Sequence, residues 1–129
     1  MEKTRLLAPP PQANLSIIQK LIVVYKLWHE FLPHFPKTSR YTLGIKIDRL
    51  IIETTEFIFV ASRSSREQKF PFLQKAGIKL DTMKFFLQVA WEIKSIDNKK
   101  YIILSDNLNE IGRMLGGWSR QFNQKTPPF

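Results

Sequence analysis

The sequence predicts an all-α fold, an antiparallel up-down-up-down bundle of four helices, and three observations carry that prediction. Prolines stand at 9–11, 33, 36, 71 and 127–128, leaving three long stretches in which helices run uninterrupted. Within those stretches apolar residues recur every three or four positions, the repeat of one helical face. No segment shows the strict alternation of a half-buried strand. Connections of a few residues then oblige successive helices to run antiparallel.

The first helix is expected over residues 16–32, with Ile18, Leu21, Tyr25, Trp28 and Leu32 on its apolar stripe and the Pro33/Pro36 pair ending it. The second, over 40–63, repeats more strictly through Leu43, Ile47, Leu50, Thr54, Phe57 and Ala61. It also carries a second stripe, Ile45, Ile52 and Phe59, each seven residues apart. One bundle-facing side does not need so wide an apolar arc, so the stripe fits either a deeply buried helix or a subunit interface. The third helix is expected to start near Phe70, with Pro71 in the first turn where its missing N–H does no harm. Its stripe is Leu73, Ala76, Leu80, Met83, Leu87 and Ala90. Asp97 is placed as the N-cap of the fourth, whose stripe is Leu104, Leu108, Ile111, Leu115, Trp118 and Phe122. The chain thus divides into a proline-rich arm at 1–15, one helical domain at 16–123 and a tail at 124–129.

Composition narrows the function. Apolar residues make up 43% and charged residues 24% of the 129, the balance of a chain that folds. Cysteine is absent, which excludes disulfides, thiolate nucleophiles and Cys-ligated metal centres. The N-terminus lacks the apolar run of a secretory signal, and no stretch approaches the ~20 apolar residues of a membrane span. A soluble, cytoplasmic protein without a membrane partner is expected. Twenty Lys and Arg against eleven Asp and Glu give a net charge of +9, which makes a polyanion the first partner to consider.

Catalytic chemistry finds little to work with. His29 and His34 belong to no metal-ligand spacing, and Glu53 and Glu56 lack the Glu-x-x-His partners of a di-iron bundle. Neither phosphate-loop pattern, GxxxxGK[ST] or GxGxxG, occurs. No catalytic residue, metal site or cofactor is assigned.

The cations are more informative. Lys26, Arg49, Lys84 and Arg113 have acids three or four residues away, at Glu30, Glu53, Asp81 and Glu110, where intrahelical pairing is possible. Lys20, Lys46, Lys75, Lys79 and Arg120 have none. Arg63, Arg66 and Lys69 crowd the connection between the second and third helices, where the helix dipole gives the first two a structural purpose. Lys20, Lys46, Lys75, Lys79 and Arg120, together with Arg63, Arg66, Lys84 and Arg113, are therefore expected to form an electropositive surface that meets phosphate. The alternative is a solvated bundle exterior.

All five glycines fall inside predicted helices, although each costs about 1 kcal/mol there relative to alanine. Gly112 and Gly116 share a face, with Gly117 beside them and Met114 and Trp118 flanking. That pattern predicts a groove where a neighbouring helix or another chain approaches closely, as against a kinked helix end.

The strings "LSIIQKL", "FPKTSRYTLGIKIDRL", "LQKAGIKLDTMKFFLQVA" and "EIGRMLGGWSRQF" occur in that order over residues 15–122. Through them the chain resembles the Avd family, the accessory variability determinants of diversity-generating retroelements. The resemblance implies a four-helix bundle assembled as a barrel-like homopentamer with a basic surface. It implies binding to the retroelement's reverse transcriptase and to RNA or DNA, in support of mutagenic retrohoming, with no catalysis of its own. In that process a template-repeat RNA is copied with adenine-directed errors and the cDNA replaces a variable repeat. The family pattern places two basic residues four apart in the middle of the third helix. Here Lys84 matches the first and Gln88 fills the second, so the pair is not carried over. A broader resemblance, to four-helix-bundle proteins encoded in 23S rRNA intervening sequences, implies the alternative of an RNA-associated bundle without a polymerase partner.

Overall fold

The computed structural model describes residues 12–123, with side chains from Ser16 onward. Four long helices make up the described chain, α1 (Gln12–Phe31), α2 (Ile45–Arg63), α3 (Lys69–Glu92) and α4 (Asn98–Arg120). No strand occurs among the described residues. α1 packs on α2 and α4, and α3 packs on α2 and α4, so the α1–α2 side lies across the core from the α3–α4 side.

The apolar stripes of α3 and α4 enter the core as the sequence indicates. Leu73, Ala76, Leu80, Met83, Leu87 and Ala90 are buried, and so are Leu104, Leu108, Ile111, Leu115, Trp118 and Phe122. The other two meet expectation in part: Ile47, Leu50, Thr54 and Ala61 of the main stripe on α2 and Leu21 and Trp28 of that on α1 are buried, while the remaining members are not. On α1 the buried set is Ile17, Leu21, Val24, Trp28 and Phe31, while Ile18, Tyr25 and Leu32 are only partly covered. On α2 Ile51 and Ile58 are buried where Leu43 and Phe57 are half-covered. Both helices carry adjacent apolar pairs, Ile17/Ile18 and Phe57/Ile58 among them, so helical periodicity fits either member. The neighbouring helices decide which one turns inward.

Boundaries have local causes. α1 is helical from the first described residue, Gln12, four residues before the expected start. A 3-10 turn at Leu32–His34 follows it, a single helical turn spans Lys37–Ser39, and wide π-type turns cover Arg40–Gly44. Regular α2 therefore starts five residues later than periodicity suggests. Arg40 pins the segment by donating to the carbonyls of Phe35, at 2.8 and 3.1 Å, and Pro33, at 3.0 Å. Gly44 permits a close approach here, because a Cβ would lie 2.7 Å from Leu32 Cδ1. At the start of α4 the Asp97 carboxylate accepts from the Lys100 N–H at 2.9 Å, the expected cap. Lys94, after the end of α3, takes a left-handed φ of 64°, and the Ser95 N–H closes back on the Ala90 carbonyl at 2.8 Å. Ser95 also shares a buried 2.7 Å hydrogen bond with Ser39, tying together the connections that precede α2 and follow α3.

Trp28 shows how the core is weighted. Its ring is fully buried and meets Phe35 edge to face at 5.4 Å, yet its Nε1–H has no acceptor among the described residues. Burying such a ring is worth about 4–6 kcal/mol, and an unpaired donor costs about 1–3 kcal/mol, so burial wins.

Candidate nucleic-acid interface

Four of the cations singled out from the sequence share one environment. Lys46 Nζ lies 5.9 Å from the Phe86 ring, and Lys75 Nζ lies 5.8 Å from Phe57 and 5.6 Å from Phe72. The guanidinium of Arg63 lies 5.9 Å from Phe59, and that of Arg66 5.0 Å from Phe122. None of the four has an acid within ion-pair distance among the described residues. An exposed cation at this range gains only about 0.5–1 kcal/mol from the ring, and the contact leaves its charge unneutralised. The α2–α3 side thus presents held but free positive charge, with Arg63 and Arg66 continuing it where α2 gives way to α3.

Lys69 at that end has a different task. Its ammonium donates to the carbonyls of Ala61, at 2.8 Å, and Ser64, at 2.9 Å, and so closes the last turn of α2. Burial pushes its pKa below the usual lysine value. The dipole-satisfying role suggested for Arg63 and Arg66 therefore falls to Lys69.

Two lysines without local acids acquire partners through tertiary contact. Lys79 pairs with Glu53 across α2–α3 at 3.0 Å, and Lys20 pairs with Glu110 across α1–α4 at 3.2 Å. Conversely, the intrahelical pairs Lys26–Glu30, Arg49–Glu53, Lys84–Asp81 and Arg113–Glu110 do not form at ion-pair distance, leaving Arg113 exposed on α4. Lys84 borders a hollow of about 290 Å³ between α3 and α4, with Asp81, Gln88 and Tyr101. The four-apart basic position that Gln88 vacates is thus a neutral amide, which donates to Glu92 at 3.2 Å.

The glycines of α4 answer to two neighbours. Arg120 folds back along the helix, its guanidinium nitrogens 3.6 and 3.8 Å from where Cβ atoms of residues 116 and 117 would stand. A Cβ at Gly112 would make an ordinary 3.6 Å contact with Leu80, so nothing inside the protomer demands glycine there. Gly77, Gly112 and Gly116 line an open trough of about 220 Å³ between α3 and α4. Trp118 does not flank it at the surface; it is 3% exposed and packs in the protomer's own core.

On the opposite side the second stripe of α2 is uncovered. Ile45, Ile52 and Phe59 are 44, 48 and 54% exposed, so the deeply buried alternative is excluded. Ile52 and Phe59 line an apolar groove of about 550 Å³ with Ile22 and Tyr25 of α1. Burial raises the Tyr25 pKa above its usual 10.0, helped by a hydrogen bond to the Asp48 carboxylate and by that group's charge.

The aromatic partners of the cations were missed by sequence reading. Phe72–Lys75 and Phe59–Arg63 were visible as three- and four-residue spacings; Phe86, Phe57 and Phe122 come from other helices and leave no local signal. No group of three or more His, Cys, Asp or Glu able to hold a metal occurs among the described residues, and no described helix is long and apolar enough to cross a membrane. A family model described as bAvd-like matches residues 15–122. No curated protein matches the chain.

Proposed function

The chain belongs to the bAvd-like family, accessory proteins of diversity-generating retroelements, and from that premise we propose that it tethers a reverse transcriptase to template RNA or cDNA in mutagenic retrohoming. The observation that carries the nucleic-acid part is the set Lys46, Lys75, Arg63 and Arg66, cations backed by aromatic rings and free of acids. Such a surface attracts phosphate without reading bases, so binding is backbone-directed and tolerant of sequence. The polymerase partner rests on the family.

In this reading the helices run alternately up and down. Cross-helix neighbours support it: Lys46 meets Phe86, Glu53 meets Lys79 and Phe57 meets Lys75, so α3 descends as α2 ascends. The protomers then assemble into the homopentamer that the family resemblance implies. The apolar groove lined by Ile52 and Phe59 lies across the core from the glycine-floored trough, so two different faces are open to a head-to-tail contact, which closes a ring when the rotation per subunit allows. A ring repeats the weak cationic patch around one surface and multiplies its avidity.

Fluorescence anisotropy with a labelled oligonucleotide across a salt series tests the reading. Affinity is expected to fall steeply with salt, and Lys75→Glu combined with Arg66→Glu to weaken binding by about tenfold or more with a shallower slope. A flat salt dependence, or a double variant that binds RNA and the cognate polymerase like the wild type, rejects it.

A further inference from the structure

The corner between α3 and α4 holds an aromatic pair outside the set of cations backed by rings on the α2–α3 side. Trp91 is 37% exposed, whereas the chain's other two tryptophans, Trp28 and Trp118, are 0 and 3% exposed. The Trp91 ring stacks on Tyr101, with centroids 5.1 Å apart and planes 14° from parallel, and its Nε1–H donates to Asn98 Oδ1. One face and the polar edge are thereby fixed. The indole borders an open hollow of about 640 Å³, lined also by Glu92, Lys94, Ile96, Asp97 and Asn98.

Lys94 is the second observation. It is the one non-glycine residue with positive φ among the described residues, at the left-handed position that usually closes a helix with glycine. A β-carbon there destabilises the fold, and no contact among the described residues rewards the lysine: it is exposed and has no described acid within ion-pair distance. Lys99, one residue beyond Asn98, is likewise exposed and forms no ion pair among the described residues. The two acids of the hollow are engaged, Asp97 in capping α4 and pairing with Lys100 at 3.8 Å, Glu92 in accepting from Gln88. The fold needs the left-handed turn that closes α3 but not a β-carbon within it, and a side chain kept there at a cost to stability points to a role outside the fold.

We infer that Trp91 is a stacking platform for an unpaired nucleobase, with Lys94 and Lys99 beside it to meet the flanking phosphates. Single-stranded nucleic acid is the class this chemistry takes, because every base offers a π face and a duplex hides it. The inference rests on the proposal that the protein binds nucleic acid and adds a strand-selective contact to it. It also gives the KSIDNKK connection a task besides joining two helices.

The intrinsic emission of the full chain tests this directly, since Trp91 is the tryptophan within reach of a base. Titration with a single-stranded oligothymidylate is expected to quench emission, and a duplex of equal length to leave it unchanged, while anisotropy of a labelled strand reports binding separately. Trp91→Leu should abolish the quench and weaken single-strand affinity about tenfold. Lys94→Gly should weaken that affinity several-fold while raising Tm by about 3 °C, a combination that a purely structural residue does not give. Single-strand binding with unchanged emission, equal quenching by duplex, or Lys94→Gly binding like the wild type overturns the inference and leaves the backbone-directed reading standing. Absence of any binding to either strand removes both. Should Trp91→Leu fail to fold, the quench and the Lys94→Gly pair of measurements still decide.

Discussion

The two flanks of α2 differ in kind although they are drawn from neighbouring residues. Toward α1 it shows Ile52 and Phe59, half-exposed and lining an apolar groove, with Ile45 exposed two turns before Ile52. Toward α3 it shows Lys46, Glu53 and Phe57, meeting Phe86, Lys79 and Lys75. Ile45 and Lys46, like Ile52 and Glu53, stand about 100° apart around the helix, which is enough to place them on different sides of the bundle. A single helix thereby carries an apolar flank, where any contact would draw on burial and survive salt, and a charged flank, whose attraction for phosphate salt screens. The two meet at the end of α2, where the Arg63 guanidinium stands 5.9 Å from the Phe59 ring.

The strongest way to break this contrast is to charge the apolar flank. Ile52→Asp together with Phe59→Asp is expected to abolish self-association, because a carboxylate buried without a partner costs several kcal/mol. The protomer's own Tm should barely move, both positions being exposed within it. Sedimentation velocity decides; an assembly that persists in the double variant removes the groove from the interface.

A smaller effect separates the groove's polar edge from its apolar wall. The folded Tyr25 phenol keeps its proton above the ordinary value of 10.0. Above that pH the native state binds more protons than the unfolded chain, so stability is fully present below pH 10 and declines as pH rises through the folded pKa. Tyr25→Phe should remove that part of the decline, seen as a flatter denaturation midpoint against pH between 9 and 11 than the wild type gives.

The smallest effect sharpens the charged side. Glu53→Gln frees Lys79 at the cost of one partly exposed ion pair, and stability should change by no more than about 1 kcal/mol. Oligonucleotide affinity at low salt should rise by about twofold to fivefold as one more cation becomes available. Unchanged affinity would place Lys79 off the path of the strand.

How far the sequence could be read follows the same divide between local and distant partners. On α3 and α4 the stripes read at steps of three and four enter the core as written, although apolar neighbours stand beside them, Phe85 and Phe86 next to Leu87 and Ile102 and Ile103 next to Leu104. On α1, Ile17 beside Ile18 and Phe31 beside Leu32 satisfy two overlapping stripes, and the reading chose the one that faces the rim. The Asp97 cap was legible because its acceptor lies three residues from its donor. The pairing of Lys20 with Glu110 was not, because ninety residues separate them. Trp91 also escaped: an indole in the last turn of a helix gives no sign of which side it presents until Tyr101 and Asn98 of the next helix fix it.

The amino-acid order by itself determined that four helices form, where the first two end and the fourth is capped, which faces of α3 and α4 enter the core, and that the whole is strongly basic. These are properties of contacts within a few residues, which helical periodicity and capping chemistry encode directly. Tertiary structure alone decided which member of each adjacent apolar pair on α1 and α2 turns inward, the uncovering of Ile52 and Phe59, and which lysines are neutralised and which lie over aromatic rings. Each of those depends on the register between helices, which is set by the packing of whole side chains against partners remote in the chain.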